Sequence, residues 1–147
     1  MPDVRSSKTM TAYPRELSAT ELSPGLVTLI LGLAARLLAG PAPEHRVLRD
    51  QLASAWVARV TLTGVGLYAY FDHPENTVRV VPPEMIGGQV PMEVRRLDAP
   101  AGCLLKVSEG KIDFVEIYTY GDVGWPDEPD VVSFGESVPV PVSGRAT

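Results

Sequence analysis

The apolar residues of this chain change their period at Trp56, and that change constrains the fold more than any other feature. Before it, Leu26, Leu29, Ile30, Leu33 and Leu37 recur at helical spacing. Ser23 is placed to cap their N-terminus with Pro24 in the first turn, and Gly40-Pro41 ends the run. A second helix is predicted from Pro43 to about Ala55, with Val47, Leu48, Gln51 and Leu52 on its inner side and His45 at the surface. From Trp56 onward the period is two. "WVARVTLTG" sets Trp56, Ala58, Val60 and Leu62 against Val57, Arg59, Thr61 and Thr63. Gly64-Val65-Gly66 allows a bend before "LYAYF", and Asp72 to Asn76 reads as a turn. "TVRVV" is the next expected strand, Gly87-Gly88 the next turn, and "QVPMEVRRL" follows. "AGCLLKV" and "KIDFVEIYTY" flank the hairpin tip Ser108-Glu109-Gly110, and "VVSF" closes the set. Helices first and hairpin-linked strands after give an α+β fold, two N-terminal helices on a mainly antiparallel sheet of about five to six strands. One domain spanning 1–147 is expected, with loose ends at 1–13 and 139–147.

Charge placement excludes some functions. Residues 99–147 carry eight acidic and three basic side chains, a net of -5 that equals the charge of the whole chain. A basic face able to displace counterions from a phosphate backbone is missing, so nucleic acid is not expected as a partner. An acidic surface steers basic partners instead. Cys103 is the single cysteine, flanked by Gly102 and Leu104, and reads as a core residue. With two histidines and one cysteine no closed zinc site is expected. Neither a metal nor a cofactor is called for. "LVTLILGLAARLLAG" is shorter than the roughly 20 residues a bilayer span needs and contains Arg36, so a buried helix, no membrane and a cytoplasmic location are expected. A homo-oligomer that buries Leu26–Leu38 between subunits is an alternative reading of the same helix.

Chemical motifs are few. "GVGLYA" fits a dinucleotide fingerprint formally, but no helix can begin before Pro74 to present its amides to a pyrophosphate. His73 beside Asp72 lies in a turn and is a weak candidate for acid–base work. Glu116 is the other, a carboxylate inside an apolar strand. Strict alternation places it on one face with Ile112, Phe114, Tyr118 and Tyr120, where desolvation would make it a general acid for a small hydrolase or isomerase. A bulge near Val115 would instead turn Ile117 inward and Glu116 to solvent, and Arg59, Arg79 or Arg95 could pair with it. Beyond the strand, Asp122, Asp127, Glu128 and Asp130 surround Trp125-Pro126. Together with Tyr118 and Tyr120 they form the expected binding residues, acids steering a basic protein toward aromatic contact area.

The stretch "AGCLLKVSEGKIDFVEIYTYGDVGWPDEP", with Gly110, Glu116, Tyr118-Thr119-Tyr120 and Trp125-Pro126, resembles small bacterial proteins, mostly uncharacterised and some associated with toxin–immunity loci. "TGVGLYAYF" looks like the upstream strand of the same group. Val115 and Ile117 depart from its usual leucine and glycine around the glutamate. The resemblance implies context, an immunity-like binding role, and no agreed activity.

Overall fold

The computed structural model describes residues 13–94, 101–119 and 131–134. Within them the chain runs β1 (Arg15–Ser18), a 3-10 turn (Ala19–Glu21), α1 (Pro24–Leu37), α2 (Pro43–Ser54), β2 (Trp56–Leu62), β3 (Gly66–Asp72), β4 (Met85–Val94), β5 (Ala101–Ser108), β6 (Lys111–Thr119) and β7 (Val131–Phe134). The described strands form one sheet of seven in the order β1-β2-β3-β6-β5-β4-β7, every neighbouring pair antiparallel. The α+β class with two helices preceding most of the strands is therefore found. β1, which no alternation announced, adds an edge by pairing Arg15–Ser18 with Arg59–Leu62 of β2.

Both helices start as their sequences dictate. Ser23 Oγ accepts the amide hydrogen of Leu26 at 3.1 Å, and Pro occupies the first turn of each helix. The C-terminus of α1 is closed from outside: Arg49 on α2 donates Nη1 to the carbonyls of Leu38 (2.6 Å) and Gly40 (2.9 Å), a cation at the negative end of a helix. Leu26, Ile30, Leu33, Ala34, Leu37 and Leu38 are buried, and with Leu48 they join Val57, Val60, Leu62, Leu67, Ala69, Leu105, Val115 and Ile117 of the sheet in one core. α1 lies on β4 and β5, α2 on β6. Leu31, on the outer side of α1, stays accessible. Cys103 is buried on β5 as expected. Among the described residues no helix is long and apolar enough to cross a membrane.

Several expectations are corrected, and each correction is a matter of which face a residue meets. β2 carries an extra residue at Ala58, because Val57 pairs with Phe71 and Arg59 with Tyr70. Val57 and Val60 thereby both point inward, while Trp56 is left 49% exposed on the other side. Gly87-Gly88 is a bulge inside β4 and no turn: Ile86 pairs with Lys106 and Gly88 with Leu105. A side chain at Gly88 would run into the Leu37 carbonyl, so the glycine lets the end of α1 sit directly on the strand. "TVRVV" forms no strand. Val80 donates to the Gly110 carbonyl at 2.9 Å, but the flanking Pro82 and Pro83 have no N–H to extend a ladder. His45 is buried, not superficial, and donates Nε2–H to the Gly87 carbonyl at 2.6 Å.

Candidate functional site

β6 decides the placement of Glu116. Val107 pairs with Ile112 and Lys106 with Phe114, so Asp113 is the extra residue of a bulge. Ile112, Val115 and Ile117 consequently all face the core, and Phe114, Glu116 and Tyr118 line the opposite face of the sheet. A bulge of the alternative kind, two residues before Val115, turns Ile117 inward and Glu116 outward. Strict alternation does not hold. Glu116 does not share a face with Ile112.

The register then assembles an outer face row by row. One row reads Ser18, Arg59, Tyr70, Phe114, Lys106 and Ile86 across β1, β2, β3, β6, β5 and β4. The next reads Glu16, Thr61, Tyr68, Glu116, Leu104 and Gln89. Tyr118 follows, flanked by Gly66 on β3 and Gly102 on β5. Tyr68, Tyr70 and Phe114 form a cluster. Tyr68 meets Phe114 edge-on at 5.2 Å between centroids, Tyr70 meets it at 5.6 Å, and the two tyrosines stack at 6.3 Å. The Tyr118 ring lies against Gly102, where a side chain would come within 2.8 Å of it, and its hydroxyl accepts from Gln89 Nε2 at 3.0 Å.

Charges frame these rings. Arg59 holds its guanidinium carbon 3.8 Å from the centre of the Tyr70 ring and donates Nη1 to Glu16 Oε2 at 2.9 Å. Thr61 Oγ1 donates to the same oxygen at 3.0 Å. Lys106 is drawn the other way, to Glu84 Oε1 and the Val107 carbonyl, both at 2.9 Å. Tyr68 stands opposite Glu116 in the register; partial burial first, then the charge of the Glu116 carboxylate, push its pKa above the ordinary value.

The two weak catalytic candidates are not brought together. His73 follows β3 at its far end and hydrogen-bonds the Ile112 carbonyl through Nε2 at 2.7 Å, so it fastens the turn to β6. Glu116 stands four residues further along β6, about 13 Å at strand rise. Of the three arginines considered as its partner, Arg59 pairs with Glu16, Arg79 lies over the hairpin tip against Gly110, and Arg95 is outside the described residues. Tyr120, Asp122, Trp125, Asp127, Glu128 and Asp130 are also outside them, leaving Tyr118 as the expected binding residue with a described position. As site residues, Arg59 and Phe114 are named by the sequence only as neighbours of Glu116, and Tyr68 and Tyr70 not at all, although their shared parity in "LYAYF" is a usable signal.

A cleft of about 270 Å³ lies on the helix side, lined by Val47, Asp50, Gln51, Ser54, Asn76, Thr77 and Val78. Much of its polar lining is already engaged within the fold: Gln51 Nε2 on the Val78 and Gly110 carbonyls, Thr77 on the Pro74 carbonyl, Ser54 on the Gln51 carbonyl. Among the described residues no group of three or more His, Cys, Asp or Glu is placed to hold a metal ion.

Comparison of the chain with models of protein families, with curated proteins and with solved structures found no significant match.

Proposed function

We propose that this chain is a protein-binding module, immunity-like in kind, that takes a basic partner on the outer face of its sheet around Tyr70, Phe114 and Tyr118. The observation carrying this reading is the cluster of Tyr68, Tyr70 and Phe114 on the side of the sheet opposite α1 and α2. A core needs no such cluster there, and aromatic side chains at accessible positions supply desolvated area to an interface at little conformational cost. In the sequence β6 is followed by Asp122, Asp127, Glu128 and Asp130, and the negative balance of the last third favours encounter with a basic protein. The resemblance to proteins of toxin–immunity loci is consistent with a basic toxin as that partner. The hydrolase or isomerase alternative draws less support, since His73, which follows β3, meets β6 at Ile112, four residues from Glu116.

The test is affinity capture from the source cells with the wild-type chain and with a Tyr70→Ala, Phe114→Ala double variant whose fold is checked by circular dichroism. A basic protein retained by the wild type and lost by the folded variant is the expected result. Capture that survives the double substitution, or captured proteins that are uniformly acidic, would overturn the reading.

A further inference from the structure

We infer that Glu116, with Tyr68 and Phe114 beside it, receives the guanidinium of an arginine side chain presented by the basic partner. This rests on the binding-module reading and names the group that the surface captures.

The same face already holds one guanidinium in that manner. Arg59 lies over the Tyr70 ring at 3.8 Å and its Nη1 pairs with a carboxylate of the neighbouring row, Glu16, at 2.9 Å. Two strands further across the sheet the carboxylate and the rings recur. Glu116 stands directly opposite Tyr68, and Phe114 and Tyr118 flank it on its own strand. Among the described residues the cations closest in the register are committed elsewhere, Arg59 to Glu16 and Lys106 to Glu84. The Glu116 carboxylate stands across the strand pair from the Tyr68 phenol, which offers at most one donor to a group with about four acceptor sites. A guanidinium offers two parallel N–H bonds to the remaining oxygen sites while its plane rests on an aromatic ring. An ammonium is a compact, strongly hydrated charge and cannot do both, so arginine is favoured over lysine. The net charge of -5 supplies the complementary long-range attraction.

The experiment titrates fluorescein-labelled, end-blocked hexa-arginine, hexa-lysine and hexa-citrulline peptides against the full chain at low salt, read by anisotropy. Wild type is compared with Glu116→Gln, with Tyr68→Phe, and with Glu75→Gln as an exposed charge control in the turn after β3. Hexa-arginine is expected to bind about fivefold or more tightly than hexa-lysine, with hexa-citrulline silent. Glu116→Gln should weaken hexa-arginine by about fivefold, and Glu75→Gln should leave it within about twofold. Tyr68→Phe, which keeps the ring and the carboxylate, should retain arginine binding. Equal binding of arginine and lysine peptides, or indifference to Glu116→Gln, would overturn the inference as mere charge attraction. Loss of arginine binding in Tyr68→Phe as well would show that binding depends on the phenol hydroxyl and not on the carboxylate and rings alone, and overturn it too. If no peptide binds while a basic protein is still captured through Tyr70 and Phe114, the arginine receptor falls and the binding module stands.

Discussion

Gln51 on α2 accepts the amide hydrogen of Ile112 at 2.9 Å through Oε1, and its Nε2 donates to the carbonyls of Gly110 and Val78, both at 2.8 Å. One buried side chain thus ties a helix to the β5–β6 hairpin and to the segment that crosses it. Gln51→Ala strands the Ile112 N–H and the Val78 carbonyl in a site 3% exposed and leaves the Gly110 carbonyl to the Val80 amide alone. The expected loss is about 2–4 kcal/mol, seen as a lower urea midpoint with an unchanged slope.

The hairpin tip supplies a substitution of opposite sign. Glu109 adopts φ 53° and Gly110 φ 80°, the pair of positive angles that a two-residue turn between antiparallel strands requires. Glu109→Asn suits the first position better, and its backbone bond to Glu84 Oε2 at 2.8 Å is untouched. The expected gain is about 0.5 kcal/mol, a rise of roughly 1–2 °C in Tm by calorimetry. Gly110→Ala in the same assay should cost about 1–3 kcal/mol, because its Cβ would come within 2.7 Å of the Arg79 Cβ at a strained φ.

Glu84 links pH to the same tip. Its carboxylate accepts from Lys106 Nζ and from the Glu109 amide, which hold its pKa below the ordinary value of 4.5. A depressed folded value means the contribution is complete above the unfolded value and is lost as pH falls through the folded one. Urea midpoints of wild type and Glu84→Gln should therefore differ at pH 6–7 and converge on acidification below about pH 4, the Gln variant having the shallower acid limb.

The Tyr68–Glu116 contact is readable by phenol titration at about 295 nm. Tyr68 ionises above the ordinary value because of burial first and of the Glu116 charge. Glu116→Gln removes the charge and leaves the burial, so the high-pH phenol step should move down toward the ordinary value without reaching it. A step that does not move would show that the two groups are apart in solution.

Element identity was legible wherever local chemistry decides it. Ser23-Pro24 starts a helix because a hydroxyl and a fixed φ satisfy its first turn, and Ser108 to Gly110 makes a tip because glycine tolerates positive φ. The expected surface position of His45 does not hold, for it stands three and seven residues before Leu48 and Leu52, on their side of the helix. Residue type argued for the surface. The Gly87 carbonyl on β4, which satisfies its Nε2, is invisible until the helix and the bulged strand meet.

The sequence by itself determined the class, the order of most elements, the capped helix, the hairpin and the core position of Cys103. Only tertiary structure decided which side chains share a face. Extra residues at Ala58, Gly87 and Asp113 each shift the two-residue period by one, and a shift of one sends every following side chain to the opposite side. Where such a residue is inserted depends on how neighbouring strands and helices pack, which no local window contains. Trp56 and Glu116 were both placed by these bulges, and so was the outer face on which Glu116 meets Tyr68.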